Sequence, residues 1–253
     1  MEALMKNKLL TVLFGIVAAL LIISFSIGIP IWFRPFYYWQ IEVLDIPGYS
    51  GEDTETIKEA YDEVLDYLTL PGREFGTGEL KYSEEGKSHF EDCKVLFALD
   101  FWVFVASLAA FVTLAVLAKL GKFKLCRPFD FHVLMTSGVS ILAFFAIIAL
   151  FVAIDFDSAF KVFHTVFFPG KDNWYFGWDT DQIIRILPSQ FFLNCGILIF
   201  SSILLLCIGC VVYSIILKMR PEPMPEEEKP LVIDFSKDGF DIDSAKKKKS
   251  KKK

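Results

Sequence analysis

Four long apolar runs, separated by polar segments of unequal length, dominate the chain. They cover about residues 9–29, 95–118, 132–154 and 191–217. About 20 consecutive apolar residues cross the hydrocarbon core of a bilayer as a helix, so each run predicts a transmembrane helix. The pattern therefore predicts an all-α membrane protein, a four-transmembrane-helix bundle built as a single membrane domain over residues 1–217.

The distribution of Lys and Arg predicts how this bundle is oriented. The connector 119–131 is short and basic, and Lys6, Lys8, Lys218 and Arg220 flank the chain ends of the bundle. Segment 30–94 instead holds 15 Asp and Glu against six Lys and Arg. Because cytoplasmic loops carry the excess of Lys and Arg, we expect both termini and 119–131 in the cytoplasm. Segments 30–94 and 155–190 are then extracellular.

The first extracellular segment contains its own helical pattern. Ser50-Gly51-Glu52-Asp53 resembles a capping box, and apolar residues then recur at helical spacing. These residues are Ile57, Tyr61, Val64, Leu65 and Leu68. They predict an amphipathic helix of about four turns that lies on the bilayer or caps the bundle. The predicted architecture is thus a bundle with an extracellular cap of one amphipathic helix and loops.

The C-terminal segment 218–253 has a different composition. It is rich in Pro and Glu and ends in a run of lysines over 246–253. Such a segment buries too little apolar area to fold, so we predict a disordered cytoplasmic tail. Its lysines are expected to contact the anionic inner leaflet of the membrane. Beyond that lysine run the chain shows no signature of nucleic-acid binding.

Candidate chemistry lies where the second, third and fourth apolar runs begin or end on the outer side. At the start of the second run, Glu85, His89 and Asp92 share one helix face. Asp100 points the same way, three turns beyond His89, within the apolar run. A carboxylate there is costly and indicates function, unless it forms a structural ion pair, for example with Lys94, Arg34 or Arg185.

The connector after the third run is the second candidate region. Residues 163–176 carry His164, Asn173 and six aromatic residues between two membrane helices. A plain connector is short and polar, so these residues indicate a site at the membrane surface, with interfacial anchoring as the alternative for the rings. If His89 and His164 serve one site, their rings must lie within about 10 Å of each other, because proton transfer needs direct or one-water reach.

Several familiar chemistries do not fit these residues. Glu85, His89, Asp92 and His164 could together hold a metal, but neither HExxH nor paired-histidine spacing occurs, so we expect neither metal nor cofactor. The chain has no GxSxG motif, and four of its five cysteines fall in or beside apolar runs, where free cysteines pack as small hydrophobic residues. These absences favour a substrate that brings its own nucleophile. The protein would then supply a base, orientation and oxyanion stabilisation.

Three stretches together resemble one family. They are 85–94 (EGKSHFEDCK), 163–170 (FHTVFFPG) with Trp174 and Phe176, and 181–188 (DQIIRILP) with Phe191 and Phe192. With four helices in this order, the chain over roughly residues 8–217 resembles the lipoprotein intramolecular transacylase (Lit) family of Gram-positive bacteria. Cys93 departs from the pattern, which has a small aliphatic residue there, and the lysine tail is not part of it.

The resemblance implies a substrate and a reaction. The substrate is a membrane-anchored lipoprotein whose N-terminal cysteine carries diacylglycerol. Its sn-2 acyl chain moves to the α-amino group of the same cysteine, which gives the lyso-form lipoprotein. The expected location is the bacterial plasma membrane, with membrane lipid around the protein and the active site at the outer face. Alternatives are another membrane-lipid acyltransferase or hydrolase, and a claudin-like adhesion or scaffold protein. A claudin-like outer segment would carry a disulfide pair, whereas this one has only Cys93.

Within this reaction we assign roles as hypotheses. His164 is the general base and acid, and His89 assists it, oriented by Glu85 or Asp92. Other residues are candidates for binding the oxyanion, the glyceryl head or the acyl chains. They are Asn173, Trp174, Tyr175, Arg185, Phe167, Phe168 and Asp100.

Overall fold

The computed structural model of the protein describes residues 1–127 and 130–219. Over these residues it consists of nine helices and contains no β-strand. In chain order the helices are α1 (Glu2–Trp32), α2 (Pro35–Val43), α3 (Ile46–Ser50), α4 (Thr54–Thr69), α5 (Glu84–Lys119), α6 (Val133–Ile154), α7 (Phe156–Phe167), α8 (Ile183–Ile186) and α9 (Ser189–Met219). Of the predicted tail 218–253, Lys218 and Met219 end α9 and the rest lies outside the described residues.

Four of these helices are long and apolar enough to cross a membrane, namely α1, α5, α6 and α9. The prediction of an all-α protein with four membrane helices is confirmed. Helix α1 packs against the other three, and α6 packs against α9. Small residues allow close approach between helices: the Ser137 hydroxyl donates to the Gly15 carbonyl over 3.2 Å, and a Cβ on Gly138 would lie 3.3 Å from the Cys207 carbonyl oxygen.

Helix α5 extends well beyond its apolar part. Its 36 residues span about 54 Å, while the hydrocarbon core of a bilayer is about 30 Å thick. The helix begins after Ser83, whose hydroxyl accepts from the Gly86 amide. The first turns, 84–94, are polar and precede the apolar run that starts at Val95. His89 lies in this polar extension.

Helices α2, α3, α4 and α8 form a cap with its own apolar core. The predicted stripe of α4 is buried there, and α4 packs against α5 and α8. Tyr37 of α2 stacks on Tyr61 of α4, with ring centroids 3.7 Å apart, and its hydroxyl donates to the Ile186 carbonyl over 2.7 Å. Arg34 forms ion pairs with Asp62 and Asp66 of α4. The cap is thus fixed by both apolar packing and buried polar contacts.

The start of α4 differs from the expectation. The residue that caps it is Asp53, whose side chain accepts from the Glu55 and Thr56 amides, each over 2.9 Å. Ser50, predicted to begin the capping box, instead ends α3. Gly51, with a φ of +81°, turns the chain between the two helices, so the helical pattern cannot start at Ser50.

Candidate active site

His89 and His164 come from different helices, and their rings meet. His89 projects from the polar extension of α5, and His164 lies in the last turn of α7. Helix α7 begins after Asp155, whose carboxylate accepts from the Ser158 amide over 3.0 Å. The imidazole rings lie 5.6 Å apart between centroids, inclined by 31°, and each residue is only 6% exposed. They therefore satisfy the limit of about 10 Å for a shared site.

The orientation of the His164 ring follows from one hydrogen bond. Its Nδ1 lies 2.8 Å from the Phe160 carbonyl oxygen. A carbonyl oxygen can only accept, so Nδ1 carries the proton and the lone pair of the neutral ring is on Nε2. Nε2 forms no hydrogen bond with the residues that the structure describes. His164 therefore presents an available basic nitrogen.

His89 has a different environment. Its Nε2 lies 3.4 Å from the Cys93 sulfur, one helical turn further along α5. Its Nδ1 is enclosed and has no partner within 1–127 and 130–219. The predicted orientation of His89 by Glu85 or Asp92 is therefore not seen. Glu85 is exposed in the first turn of α5, and the Asp92 carboxylate is held by other residues.

Asp92 binds the connector that lies against the two histidines. We call residues 169–176 the strap. Lys171 of the strap forms an ion pair with Asp92, and Asn173 donates to the second Asp92 oxygen over 3.0 Å. Asn173 also approaches the Ser88 hydroxyl, at 3.4 Å. The strap is thus joined to the helix that carries His89.

Aromatic rings surround the two imidazoles. Trp174 of the strap stacks on His164 with centroids 4.6 Å apart, and Tyr175 stacks on Trp174 at 3.7 Å. The buried Phe168 meets His89 edge-on at 4.8 Å. Phe167, in contrast, is half exposed and packs on Phe163. Of the predicted aromatic contacts, Trp174 and Phe168 touch a histidine, while Tyr175 and Phe167 lie one layer further out.

Two predicted site residues lie away from the histidines. The Arg185 guanidinium donates to the Trp178 carbonyl and to Asp179, at 2.9 and 3.0 Å, and lies over the Trp178 ring. Asp100 lines a largely apolar groove of about 440 Å³ between α1 and α5. It forms no ion pair with Lys94, Arg34 or Arg185 over the described ranges. The groove is also lined by Ser24, Phe25, Gly28, Ile29, Trp32, Phe33, Phe101 and Phe104.

The enclosed setting keeps both rings neutral at neutral pH. Burial lowers the pKa of His164 below its usual 6.5, more than the bond to Phe160 raises it. Burial and the proximity of His164 lower the pKa of His89 to about 4, although Asp92 and Asn173 act in the other direction. Burial tends to raise the pKa of Asp92, but its bonds to Lys171 and Asn173 hold it below its ordinary value. Two neutral imidazoles thus lie near an ionised carboxylate.

Sequence reasoning missed the direct partners of both rings. Phe160 lies four residues before His164, and Cys93 lies four residues after His89, so helical spacing alone relates each pair. It also missed α7, although Phe156, Phe160, Phe163 and Phe167 follow helical spacing after a capping Asp. In the part of the chain that the structure describes, no group of three or more His, Cys, Asp or Glu side chains could hold a metal ion.

Comparison with known proteins decides the family. The family model described as lipoprotein intramolecular transacylase Lit matches residues 12–192, well over half of the chain. The chain belongs to the Lit family. The predicted family is confirmed, and with it an enzyme of the acyltransferase class that acts on lipoproteins. No curated protein matches this Lit-family chain.

Solved structures of a Lit protein share the fold. The lipoprotein intramolecular transacylase Lit from Bacillus cereus is 25% identical, with a TM-score of 0.75 over 84% of this chain and 97% of that chain. Two variants of the same protein, with one histidine replaced by Arg or by Ala, are each 24% identical with a TM-score of 0.69. Those matches cover 84% of this chain and 93% and 95% of the variants. This Lit-family protein is thus an integral membrane transacylase with four apolar helices.

Proposed function

We propose that this Lit-family protein transfers the sn-2 acyl chain of a diacylglyceryl-modified N-terminal cysteine to the α-amino group of that cysteine. The product is an N-acyl, S-monoacylglyceryl lipoprotein. One observation carries the proposal: the His89 and His164 rings lie 5.6 Å apart, and the Phe160 carbonyl leaves Nε2 of His164 unprotonated. An intramolecular aminolysis needs this kind of base.

The proton path uses His164 at both stages. The neutral α-amine attacks the sn-2 ester carbonyl, a C–N bond forms, and Nε2 of His164 takes the proton that the nitrogen loses. The tetrahedral intermediate then collapses, the bond between the acyl carbon and the sn-2 oxygen breaks, and Nε2 of His164 returns the proton to that leaving oxygen. The result is an amide and a free sn-2 hydroxyl. The Trp174 face stacked on His164 favours the imidazolium that forms between the two stages.

The nucleophile and the ester belong to one substrate molecule, so the protein mainly has to orient them. Well-oriented intramolecular reactions reach effective molarities on the order of 10⁵ M or more. The strap supplies orientation in this proposal, because Asp92 holds Lys171 and Asn173 and thereby keeps Trp174 on His164.

The remaining predicted residues take outer positions in this proposal. Phe168 lines the wall against the acyl chain beside His89, while Phe167 and Tyr175 contact lipid and the head group from further out. Arg185 is engaged by Asp179 and so keeps the loop after the strap in place. The groove at Asp100 receives an acyl chain rather than the reacting ester.

The proposed orientation places this site at the outer face of the plasma membrane, with both termini in the cytoplasm. It is supported by the acidic excess over 30–94 and the basic connector 119–131. Asp92, Lys171 and the two histidines all lie on the side of the bundle where the acidic segment leaves it. The lysine run 246–253, proposed to contact the anionic inner leaflet, lies outside the described residues.

A crossover assay tests the reaction. Two diacylglyceryl lipopeptides, one with heavy acyl chains and heavy peptide and one fully light, are mixed with the purified protein. Substrate and product are isomers, so fragmentation in the mass spectrometer must locate the acyl chain. The proposal predicts amide-linked acyl groups only on the peptide of matching label. Mixed-label product would indicate an intermolecular acyltransferase, and released fatty acid would indicate a hydrolase.

A further inference from the structure

The partner of His89 is a thiol. Cys93 lies four residues after His89 on α5, and its sulfur is 3.4 Å from Nε2. Two hydrogen-bond arrangements are possible for this contact: the thiol donates to an unprotonated Nε2, or a protonated Nε2 donates to sulfur. They leave opposite states at Nδ1, a proton in the first and a lone pair in the second. The arrangement that occurs therefore decides whether Nδ1 of His89 is a hydrogen-bond donor or an acceptor toward a substrate.

A second, independent observation selects between them. Two enclosed polar side-chain atoms in the described residues have no partner, Nδ1 of His89 and Oδ1 of Asn173. The Asn173 side chain is a polar neighbour of the His89 ring and tends to raise the pKa of His89, although the two atoms form no hydrogen bond in this structure. Oδ1 of Asn173 can only accept a hydrogen bond, so it is compatible only with a protonated Nδ1 of His89. Two acceptors that face each other would both be removed from water without gaining a hydrogen bond. The Asn173 side chain is oriented by its bond to Asp92.

We propose that Cys93 is a positioning residue: its thiol donates to Nε2 of His89 and so fixes the ring tautomer with the proton on Nδ1. This inference rests on the proposed function and adds one role to it: Nδ1–H of His89 donates to the ester carbonyl oxygen as negative charge develops on it. His164 and His89 then have complementary roles, since one presents a basic Nε2 and the other presents a donor. No proton is transferred from His89 and no bond to Cys93 forms.

The surroundings of the thiol argue against a nucleophilic role. Burial raises the pKa of Cys93 to about 12, so the thiolate that nucleophilic attack requires does not form. Among the described residues no cationic side chain contacts the sulfur, since Lys171 is paired with Asp92 and Lys94 lies over the Tyr67 ring. A thiol that keeps its proton is a weak hydrogen-bond donor, which suits the positioning role.

The test is a nitrogen NMR experiment on the full-length protein labelled with ¹⁵N-histidine. The signals that are missing from the H132Q variant are assigned to His132. In the native protein the His89 signals should show a protonated Nδ1 and an unprotonated Nε2. C93A and C93V remove the donor and should give a mixture of both tautomers. C93S keeps a donor and should restore most of the native pattern. C195A, which removes another partly buried cysteine away from the histidines, should leave the pattern unchanged.

Kinetics supply the second readout. We expect kcat of C93A and C93V to fall about fivefold, the effect of one neutral hydrogen bond, with KM unchanged and with recovery in C93S. Native tautomer signals in C93A and C93V would overturn the inference. So would complete loss of activity together with an acyl thioester trapped on Cys93 of the native protein. The NMR measurement of the tautomer is made without substrate, so its result does not depend on the outcome of the crossover assay.

Discussion

The His89 and His164 rings lie 5.6 Å apart, although one belongs to the start of a membrane helix and the other to a short helix in the connector that follows the third membrane helix. Each ring is bound by a group four residues away on its own helix, the Cys93 thiol and the Phe160 carbonyl. Neither is bound to a carboxylate. The pair therefore differs from a His–Asp dyad, in which the carboxylate stabilises a charged imidazole.

The pH dependence should reflect this neutral environment. The pKa of His164 lies below its ordinary value of about 6.5, so its ring is mostly neutral above that pH, and between about pH 6.5 and 8 the substrate α-amine, with a pKa near 8, is the main group that titrates. We expect log kcat/KM to rise with slope one over that range and with slope two only below it. A slope of two that persists above pH 7 would show that the pKa of His164 is raised and not lowered.

The strap should matter for rate much more than for stability. Asp92 and Lys171 are partly exposed, with side chains 21% and 47% accessible, and such ion pairs contribute only about 0–1 kcal/mol. D92A releases both Lys171 and Asn173, so Trp174 is no longer held on His164. We expect kcat to fall about 10- to 100-fold, because small displacements at a reacting centre cost that much.

The neighbouring Glu91 provides the matched control for D92A. It is exposed on the same turn of α5 and forms no hydrogen bond or ion pair with the described residues. E91A should keep the native kcat, and both variants should keep the native unfolding midpoint in detergent. Equal activity of D92A and E91A would mean that the strap does not position the histidines.

Asp100 should behave differently from the histidines. It lines a groove between α1 and α5 and contacts neither ring. We expect D100N to keep kcat within about twofold while KM changes, since the groove is proposed to receive an acyl chain. D100L should raise the free energy of unfolding by about 1–3 kcal/mol, because a carboxylate in an apolar run is costly. A loss of kcat in D100N as large as in His164 variants would place the reaction in the groove.

The cap should be sensitive to one buried hydroxyl. Tyr37 is fully buried and donates to the Ile186 carbonyl over 2.7 Å. Y37F keeps the stacking on Tyr61 but leaves that carbonyl without its donor, so we expect a loss of about 1–3 kcal/mol in the free energy of unfolding. Y49F is the control, because Tyr49 is 54% exposed and its edge-on contact with the Trp178 ring survives the change. Similar denaturation curves for the two variants would contradict the role of this bond.

The sequence was sufficient to predict the bundle because long apolar runs have few other structures available to them. It also indicated both histidines, since the chain has only three and these two lie beside apolar runs among carboxylate, amide and aromatic side chains. The partners of those histidines could not be predicted by counting charges. Asp92 lies three residues from His89 and was expected to bind it, but Lys171 of a distant segment attracts the carboxylate more strongly.

Two further differences have local causes. Asp100 does share a helix face with His89, but eleven residues of helix separate them by about 16 Å along the axis, so a common face does not mean a common site. The sequence pattern does not separate helix α7 from the surrounding loop, because its 12 residues are too short and too polar to resemble the neighbouring membrane helices. The helical spacing of its apolar residues is visible only when the adjacent apolar runs are excluded from the pattern.

The central claim is that His164 is the base of the acyl transfer, and the rates of H164Q and H132Q test it most directly. His132 caps α6 and lies outside the histidine cluster, so H132Q controls for loss of an imidazole elsewhere in the same protein. With correct folding checked by thermal unfolding, we expect H132Q to transfer the sn-2 acyl chain at the native rate. H164Q should be slower by about 10²- to 10⁴-fold, the usual contribution of a general base. An H164Q rate within tenfold of the H132Q rate would contradict the account.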